Sequence, residues 1–321
     1  MPTFTIEPGF DSESPSIPMP MASYIHRIND DLVLGVGMYA PYGLGGLYDD
    51  SIRYRESMVA LVNITPALSL RLSDKLWLGL GLDIGYGQLK YHGSLQLGKV
   101  FIDPLYAKSQ ADGFGIGGRV GLMYHATEKL TLGLCYSTPI KTDLSGKTDL
   151  RLFGVEIGSD RFDSSFTFPG RLAAGIAYRP NDEWTVAVDG AYFWYGGANE
   201  VNLDFRNLPD IATVKLNWQD NWAVFAGAER KLDENWRVRF GAGWQTAAIP
   251  ESTSSPITPD VNGWLASFGL GYTKNNWEFN VAFTHAEGER TVGRDLWRNN
   301  IAPATTKADI DIISVGFGYR F

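Results

Sequence analysis

One cysteine, Cys135, and four histidines are all that 321 residues offer for disulfides or soft metal ligation. A lone thiol excludes a disulfide framework, and no Cys/His spacing suits a metal site or calls for a cofactor. Residues around Cys135 alternate in character, which marks it as a small inward-facing residue and not a nucleophile. No apolar run approaches the ~18 residues that a membrane helix needs, which excludes a helical membrane protein. Basic residues are outnumbered, 28 Lys and Arg against 36 Asp and Glu, giving a net charge of -8. With no basic stripe to offset that charge, nucleic acid is not an expected partner. Met1-Pro2-Thr3-Phe4 shows neither the basic n-region nor the apolar h-region of a secretory leader.

What the chain does have is a recurring polar turn followed by an aromatic residue or leucine. It reads Asn29-Asp30-Asp31-Leu32, Asp74-Lys75-Leu76-Trp77, Glu128-Lys129-Leu130, Asn181-Asp182-Glu183-Trp184, Asp233-Glu234-Asn235-Trp236 and Lys274-Asn275-Asn276-Trp277. Each copy opens a stretch that alternates apolar with small or polar residues. Tryptophan just inside a polar turn suits a membrane interface, where one end of the ring is wet and the other apolar. Gly 36 and aromatics at 13% fit a barrel with glycine toward its lumen and rings in its girdles. The expectation is one all-β domain over residues 1–321, a transmembrane antiparallel β-barrel in the bacterial outer membrane. Such a barrel crosses the periplasm, so the chain as given is expected to be truncated at its N-terminus.

Turn counting predicts about fourteen strands, near 2–7, 17–28, 32–42, 54–73, 76–92, 111–126, 130–141, 162–179, 184–196, 213–230, 236–247, 262–273, 277–287 and 306–321. An even number leaves both termini periplasmic. Ile313, Val315, Phe317, Tyr319 and Phe321 share the lipid face of the last strand, while Ser314, Gly316, Gly318 and Arg320 share the lumen face. Long connections are expected at 43–53, 93–110, 142–161, 197–212, 248–261 and 288–305, and their length makes that end extracellular. Alternation turns Arg71, Arg119, Arg171, Arg179, Arg237 and Arg239 inward, with Asp83, Asp189 and Glu278, as solvated and mutually paired lumen residues. Two prolines stand out, because proline removes a ladder hydrogen bond and marks a bulge or an edge. Pro66 interrupts the strand 54–73, and Pro41 ends the strand 32–42.

Specific segments carry a family resemblance. Tyr39-Ala40-Pro41-Tyr42-Gly43-Leu44, Tyr136-Ser137-Thr138-Pro139 followed by Asp143-Leu144-Ser145-Gly146, Phe168-Pro169-Gly170-Arg171-Leu172 and the terminal Gly316-Phe317-Gly318-Tyr319-Arg320-Phe321 are of this kind. On these the chain resembles the FadL/TodX family of outer-membrane hydrophobic-compound transporters, over essentially its whole length. The resemblance implies a monomeric fourteen-stranded barrel in which substrate enters from the extracellular loops and leaves sideways through a kinked strand. It also implies a small N-terminal hatch, which the chain as given is expected to lack. The kinked strand of that family falls in the region resembling Tyr39, Pro41 and Gly43, the expected lateral opening.

Catalysis finds little support: His92-Gly93-Ser94 is the one nearby His/Ser pair, and no third group is spaced to orient the histidine. The chain is therefore expected not to be an enzyme. Two long connections are too apolar for freely solvated loops. In 93–110, Phe101 and Leu105 stand beside Lys99 and Lys108; in 142–161, Leu152 and Phe153 stand beside Lys147 and Arg151. Apolar area with isolated cations suits an amphiphilic carboxylate, so a long-chain fatty acid is the expected substrate. The alternatives are aromatic hydrocarbons or alkanes, a general or polar-solute porin, or an adhesin-like structural barrel. Outer-membrane lipid, lipopolysaccharide and the barrel-assembly machinery are the other expected partners. Deleting Phe321 is predicted to lower the yield of folded, heat-modifiable barrel in outer-membrane fractions, because the alternating terminal run ending in an aromatic serves as the assembly signal.

Overall fold

The computed structural model describes residues 3–7, 10–11, 18–48, 54–97, 100–207, 212–254, 260–292 and 304–321, with the backbone alone for 3–7, 10–11, 54–55, 94–97, 100–104, 212, 292 and 304. In chain order the strands are β1 Thr3–Glu7, β2 Phe10–Asp11, β3 Ala22–Arg27, β4 Leu32–Leu47, β5 Tyr54–Arg71, β6 Leu76–Leu97, β7 Val100–His125, β8 Leu130–Ser137, β9 Ile140–Leu152 and β10 Val155–Phe168. They continue as β11 Gly170–Tyr178, β12 Trp184–Trp194, β13 Glu200–Phe205, β14 Ala212–Lys215, β15 Asn221–Lys231, β16 Trp236–Gln245, β17 Gly263–Lys274, β18 Trp277–Val292 and β19 Ala304–Tyr319. Every pairing among the described residues is antiparallel, and the wall is a meander. The first and last strands meet where Thr3–Glu7 pair with Asp309–Thr305. Counting β8 with β9 and β10 with β11 as single passages, and setting aside β2, β13 and β14, fourteen passages form the β-barrel wall. The terminal Phe321 ring stacks on Tyr24 of β3, with centroids 5.7 Å apart.

A side-chain cap explains the recurring turn. Asn29 Oδ1 accepts the amides of Asp31 and Leu32 at 2.9 and 2.8 Å, and Asn181 Oδ1 accepts those of Glu183 and Trp184 at 3.0 and 2.9 Å. Asp233 does the same for Asn235 and Trp236, and Thr127 for Lys129 and Leu130. A short polar side chain that bonds the backbone two and three residues on fixes a tight turn and satisfies the amides leaving the membrane. Those two amides hold the Asp233 carboxyl below its usual range.

The lipid face is apolar, with aromatic rows at both edges. On β16 and β17, Trp236 and Tyr272 pair at the periplasmic edge, Phe240 and Phe268 at mid-height, and Trp244 and Trp264 at the extracellular edge. Val281, Phe283, Ile313, Val315 and Phe317 continue this exposed apolar surface.

Alternation does not run unbroken through three passages. On β4, Leu34 and Val36 face lipid, while the Tyr42 side chain, also even-numbered, reaches into the lumen. The pairing jumps there from Tyr39↔Asn63 to Tyr42↔Leu61, a one-residue β-bulge at Ala40–Pro41. Leu132, Leu134 and Tyr136 of β8 face lipid, yet Ile140, Thr142 and Leu144 of β9 are buried. Leu172 and Ile176 of β11 are exposed, yet Phe162, Phe166 and Phe168 of β10 are buried. Each switch of face falls at a proline: Pro41, Pro139 and Pro169. Proline offers no N–H to the ladder, and an inserted residue re-aims every side chain beyond it.

Several sequence-based boundaries are corrected by these features. Pro41 lies inside β4, not at its end, because the bulge lets pairing resume to Leu47. The stretches expected as loops at 93–110 and 142–161 are mostly strand. The β6–β7 ladder reaches Leu97↔Val100, and the β9–β10 ladder reaches Leu152↔Val155. Glycine permits this layering, since a Cβ at Gly113 or Gly115 would collide with the Asp143 or Lys141 carbonyl of β9. The strand expected at 213–230 is instead two elements. Ala212–Lys215 belongs to a small β13–β14 hairpin, and the wall strand begins at Asn221. The β13–β14 hairpin is edged onto β10 through Phe162↔Phe205. Of the expected loop 43–53, residues 49–53 lie outside the described residues, as do 293–303 of 288–305.

Pro66 causes no bulge but leaves a gap in the ladder: β5 and β6 pair at Ile64↔Ile84 and again at Ala67↔Gly81. A buried polar node spans the gap on the lumen side. Thr65 Oγ1 donates to Asp83 Oδ1 at 2.5 Å, and Asp83, 1% exposed, accepts Arg119 Nη2 at 2.7 Å and Nε at 3.1 Å. Arg119 also donates to the Tyr39 hydroxyl. Four adjacent strands thus contribute one residue each. Arg119→Met would strand a buried carboxylate, at a cost of about 2–4 kcal/mol given that the arginine is partly exposed. The double variant Asp83→Asn with Arg119→Met should lose less, measured as the urea midpoint of the folded barrel in detergent.

Candidate functional site

Because β9 and β10 turn inward beyond their prolines, the extracellular half of the lumen contains a hydrophobic core. Leu61, Ala111, Ile140, Leu144, Phe162, Phe166, Phe168 and Val201 are its buried members. Between this core and the β4 bulge lies a cavity of about 270 Å³. Pro41, Tyr42, Gly43 and Leu44 form its wall on the bulge side, and Phe166, Phe168 and Pro169 form it on the opposite side. The Tyr42 hydroxyl donates to the Pro169 carbonyl at 2.9 Å, linking two of the three proline sites across 127 residues. Tyr42 and Phe168 stack with centroids 5.9 Å apart, and Phe166 meets Phe168 edge-on at 4.8 Å.

Two extracellular segments complete the lining. From 195–220 come Tyr195 and Trp218, which meet edge-on at 5.6 Å, with Trp218 also edge-on to Phe166 at 5.7 Å. Their loop is held by the Tyr195 amide donating to Asp220 and the Trp218 amide to the Ala198 carbonyl. Burial pushes the Tyr195 hydroxyl well above its usual range, so it stays protonated. From 246–262 come Ala248, Ile249 and Asp260. Asp260 Oδ2 accepts the Ala248 and Ile249 amides at 2.6 and 2.8 Å. Burial outweighs the opposing amides of Ile249, Ala248 and Val261 and the Arg290 charge, and leaves the Asp260 carboxyl above its ordinary range. Arg290 itself donates to the Ile249 carbonyl.

Lower in the lumen the surface is polar. Arg239 donates to Glu229 at 2.7 Å and to Asn280 at 2.6 Å, and Arg237 donates to Thr273 at 2.9 Å. Arg71 pairs instead with Asp74 at the periplasmic rim, at 2.7 Å.

Among the described residues, those expected to bind substrate do not line this cavity. Leu105 pairs with Leu152 across β7 and β9, Tyr106 with Arg151, and Lys108 with Asp149. Phe153 occupies the tip of the β9–β10 hairpin at φ 51°, followed by Gly154 at φ 81°, and is 79% exposed. Lys147 is bound to Asp149 at 2.7 Å. Lys99 and the Phe101 side chain lie outside the described residues. Of the expected lateral-opening residues, Pro41 and Gly43 line the cavity, whereas Tyr39 flanks the bulge and is engaged by Arg119. Phe168, Trp218 and Asp260 were missed, although Phe168-Pro169-Gly170 carried a legible signal. A proline inside an aromatic strand end marks a change of face.

An antiparallel β-barrel, belted with tryptophan and holding an aromatic cavity in its outer half, is an outer-membrane protein of the transport class. The chain belongs to the outer membrane protein transport protein (OMPP1/FadL/TodX) family, which it matches over residues 6–321. It is 23% identical to outer membrane protein P1 of Haemophilus influenzae, over 94% of this chain and 75% of that protein. It is 21% identical to the long-chain fatty acid transport protein of Salmonella typhi, over 86% and 72%. Among solved structures, a Pseudomonas aeruginosa FadL homologue superposes with a TM-score of 0.80 at 16% identity, covering 99% of this chain and 88% of that one. The Pseudomonas putida toluene transporter TodX gives 0.76 at 19%, covering 100% and 87%. Phe168→Leu is predicted to weaken binding of a hydrophobic fluorescent probe roughly tenfold by removing ring contact from the cavity. Phe240→Leu on the lipid face should leave that binding unchanged, both being read by probe titration in nanodiscs.

Proposed function

We propose that this protein carries hydrophobic small molecules passively across the outer membrane, without catalysis, and releases them sideways through the wall at the β4 bulge. One observation carries the reading: the bulged segment Pro41–Gly43 is itself part of the lining of the apolar cavity. A bulge leaves ladder groups locally unpaired and bends its strand, so this is where the wall costs least to part. The polar lumen below supports the same route. An apolar molecule moving straight down would meet Arg119, Asp83, Arg237, Arg239 and Glu229, whereas the lipid lies one strand away.

The exposed hairpin tip around Leu152 and Phe153, with Leu105, Lys108 and Arg151 beside it, acts in this reading as the surface of first encounter, before transfer to the cavity. Relatives named for long-chain fatty acid transport and a structural neighbour named for toluene span the range of candidate cargo. The barrel works as a monomer surrounded by outer-membrane lipid and lipopolysaccharide.

Deleting Ala40 tests the route, because it removes the extra residue and restores regular pairing while Tyr39 and Tyr42 keep facing the lumen. Uptake of a labelled hydrophobic compound by cells making this variant should fall at least about tenfold, with heat-modifiable folding intact. Undiminished uptake would overturn lateral release. Liposome swelling by sugars would favour a polar-solute porin instead.

A further inference from the structure

We propose that Asp260 is a specificity-determining residue that bars carboxylate-headed molecules from the cavity and reserves it for neutral apolar compounds. This rests on the reading of the cavity as the substrate site. Among the described residues that line it, none is Lys or Arg, and Asp260 is the one acidic side chain. The rest of the lining is aromatic and aliphatic, with the amides of Asn221 and Gln245, the hydroxyls of Tyr42 and Tyr195 and the Trp218 indole N–H as its neutral polar groups.

The carboxylate is held in place by the structure. Both Oδ2 contacts, from the amides of Ala248 and Ile249, pin it against the buried Ala248–Ile249 segment. The positive charge acting on it, Arg290, is not among the lining residues and is engaged with the Ile249 carbonyl. Glu251, exposed in the same loop, adds no cation. A ligand carboxylate entering here would be desolvated beside a like charge with no donor from a cation, which is unfavourable on both counts. Building repulsion against one class of ligand is a recognised way to achieve specificity. Size acts in the same direction. At about 270 Å³ the cavity lies just below the roughly 300–1,000 Å³ range of ligand pockets, which suits a one- or two-ring molecule.

The test compares matched ligands at pH 8, where a ligand carboxylic acid is ionised. Binding of 2-naphthalenemethanol and of 2-naphthoate to the barrel in nanodiscs is measured by ligand fluorescence, with empty nanodiscs subtracted. The wild type should bind the alcohol at least about tenfold more tightly than the carboxylate. Asp260→Asn keeps the side-chain shape and an oxygen acceptor for the backbone amides, and it leaves Arg290 unopposed. In that variant the gap should shrink to within about threefold, through tighter binding of the carboxylate. Equal binding of the two ligands by the wild type, or an unchanged gap in a folded Asp260→Asn variant, would overturn the proposal while leaving the cavity as the substrate site. Failure of the folded wild type to bind either ligand would overturn the site reading and this inference with it. Arg290→Met within the Asp260→Asn background should abolish the gained carboxylate binding, and its persistence would also count against the proposal.

Discussion

Everything in this barrel follows from one requirement: inside a bilayer, each backbone amide and carbonyl needs a partner within the protein. A closed antiparallel ladder meets it strand by strand, and proline cannot take part as a donor. This chain places prolines in its wall and accommodates them in two ways. At Pro66 the ladder is interrupted without a shift of register, and Thr65, Asp83 and Arg119 bridge the gap by side chain. At Pro41, Pro139 and Pro169 the strand changes face instead.

That change of face is what creates an interior for the outer half of the barrel. An ordinary barrel strand directs every second residue to lipid and the others to a wet lumen. Between Pro139 and Pro169 the large apolar residues Ile140, Leu144, Phe162, Phe166 and Phe168 point inward, and the charged Lys141, Asp143 and Arg161 point out. The hydrophobic effect then closes the core over the lumen, with the β13–β14 hairpin and Trp218 packed on it. Tyr42 ties this core to the bulged strand, so the cavity and the bulge are neighbours by construction. Polar chemistry divides accordingly. The Arg119 and Arg239 networks lie below the cavity, while the cavity itself admits a single acidic side chain, Asp260.

Much of this was legible in the chain. The capped turns and the tryptophans behind them depend on interactions within three residues, so Asn29, Asn181 and Asp233 reveal them directly. Lipid-facing rows such as Ile313 to Phe321 follow from a period of two that nothing interrupts. The inward arginines were legible for the same reason, and Arg119 and Arg239 have the acidic partners that a low-dielectric lumen demands. Where a proline inserted one residue, period counting failed, and apolar strands beyond Pro139 read as apolar loops.

The sequence alone therefore determined the class of protein, its single meandering wall, its orientation in the membrane and the oddity of Pro41, because each rests on local turn chemistry or on uninterrupted alternation. Only the tertiary structure decided that Pro41, Pro169, Trp218 and Asp260 line one cavity, since residues separated by up to 219 positions are brought together by register and by the inward turn of β9 and β10. The apolar residues of 93–110 and 142–161 were recognisable as unfit for water, but whether they formed a loop site or extended the sheet depended on pairing partners elsewhere in the chain. Long-range hydrogen bonding settled it, because Leu105↔Leu152 gives the backbone the partners that a loop would have left to solvent.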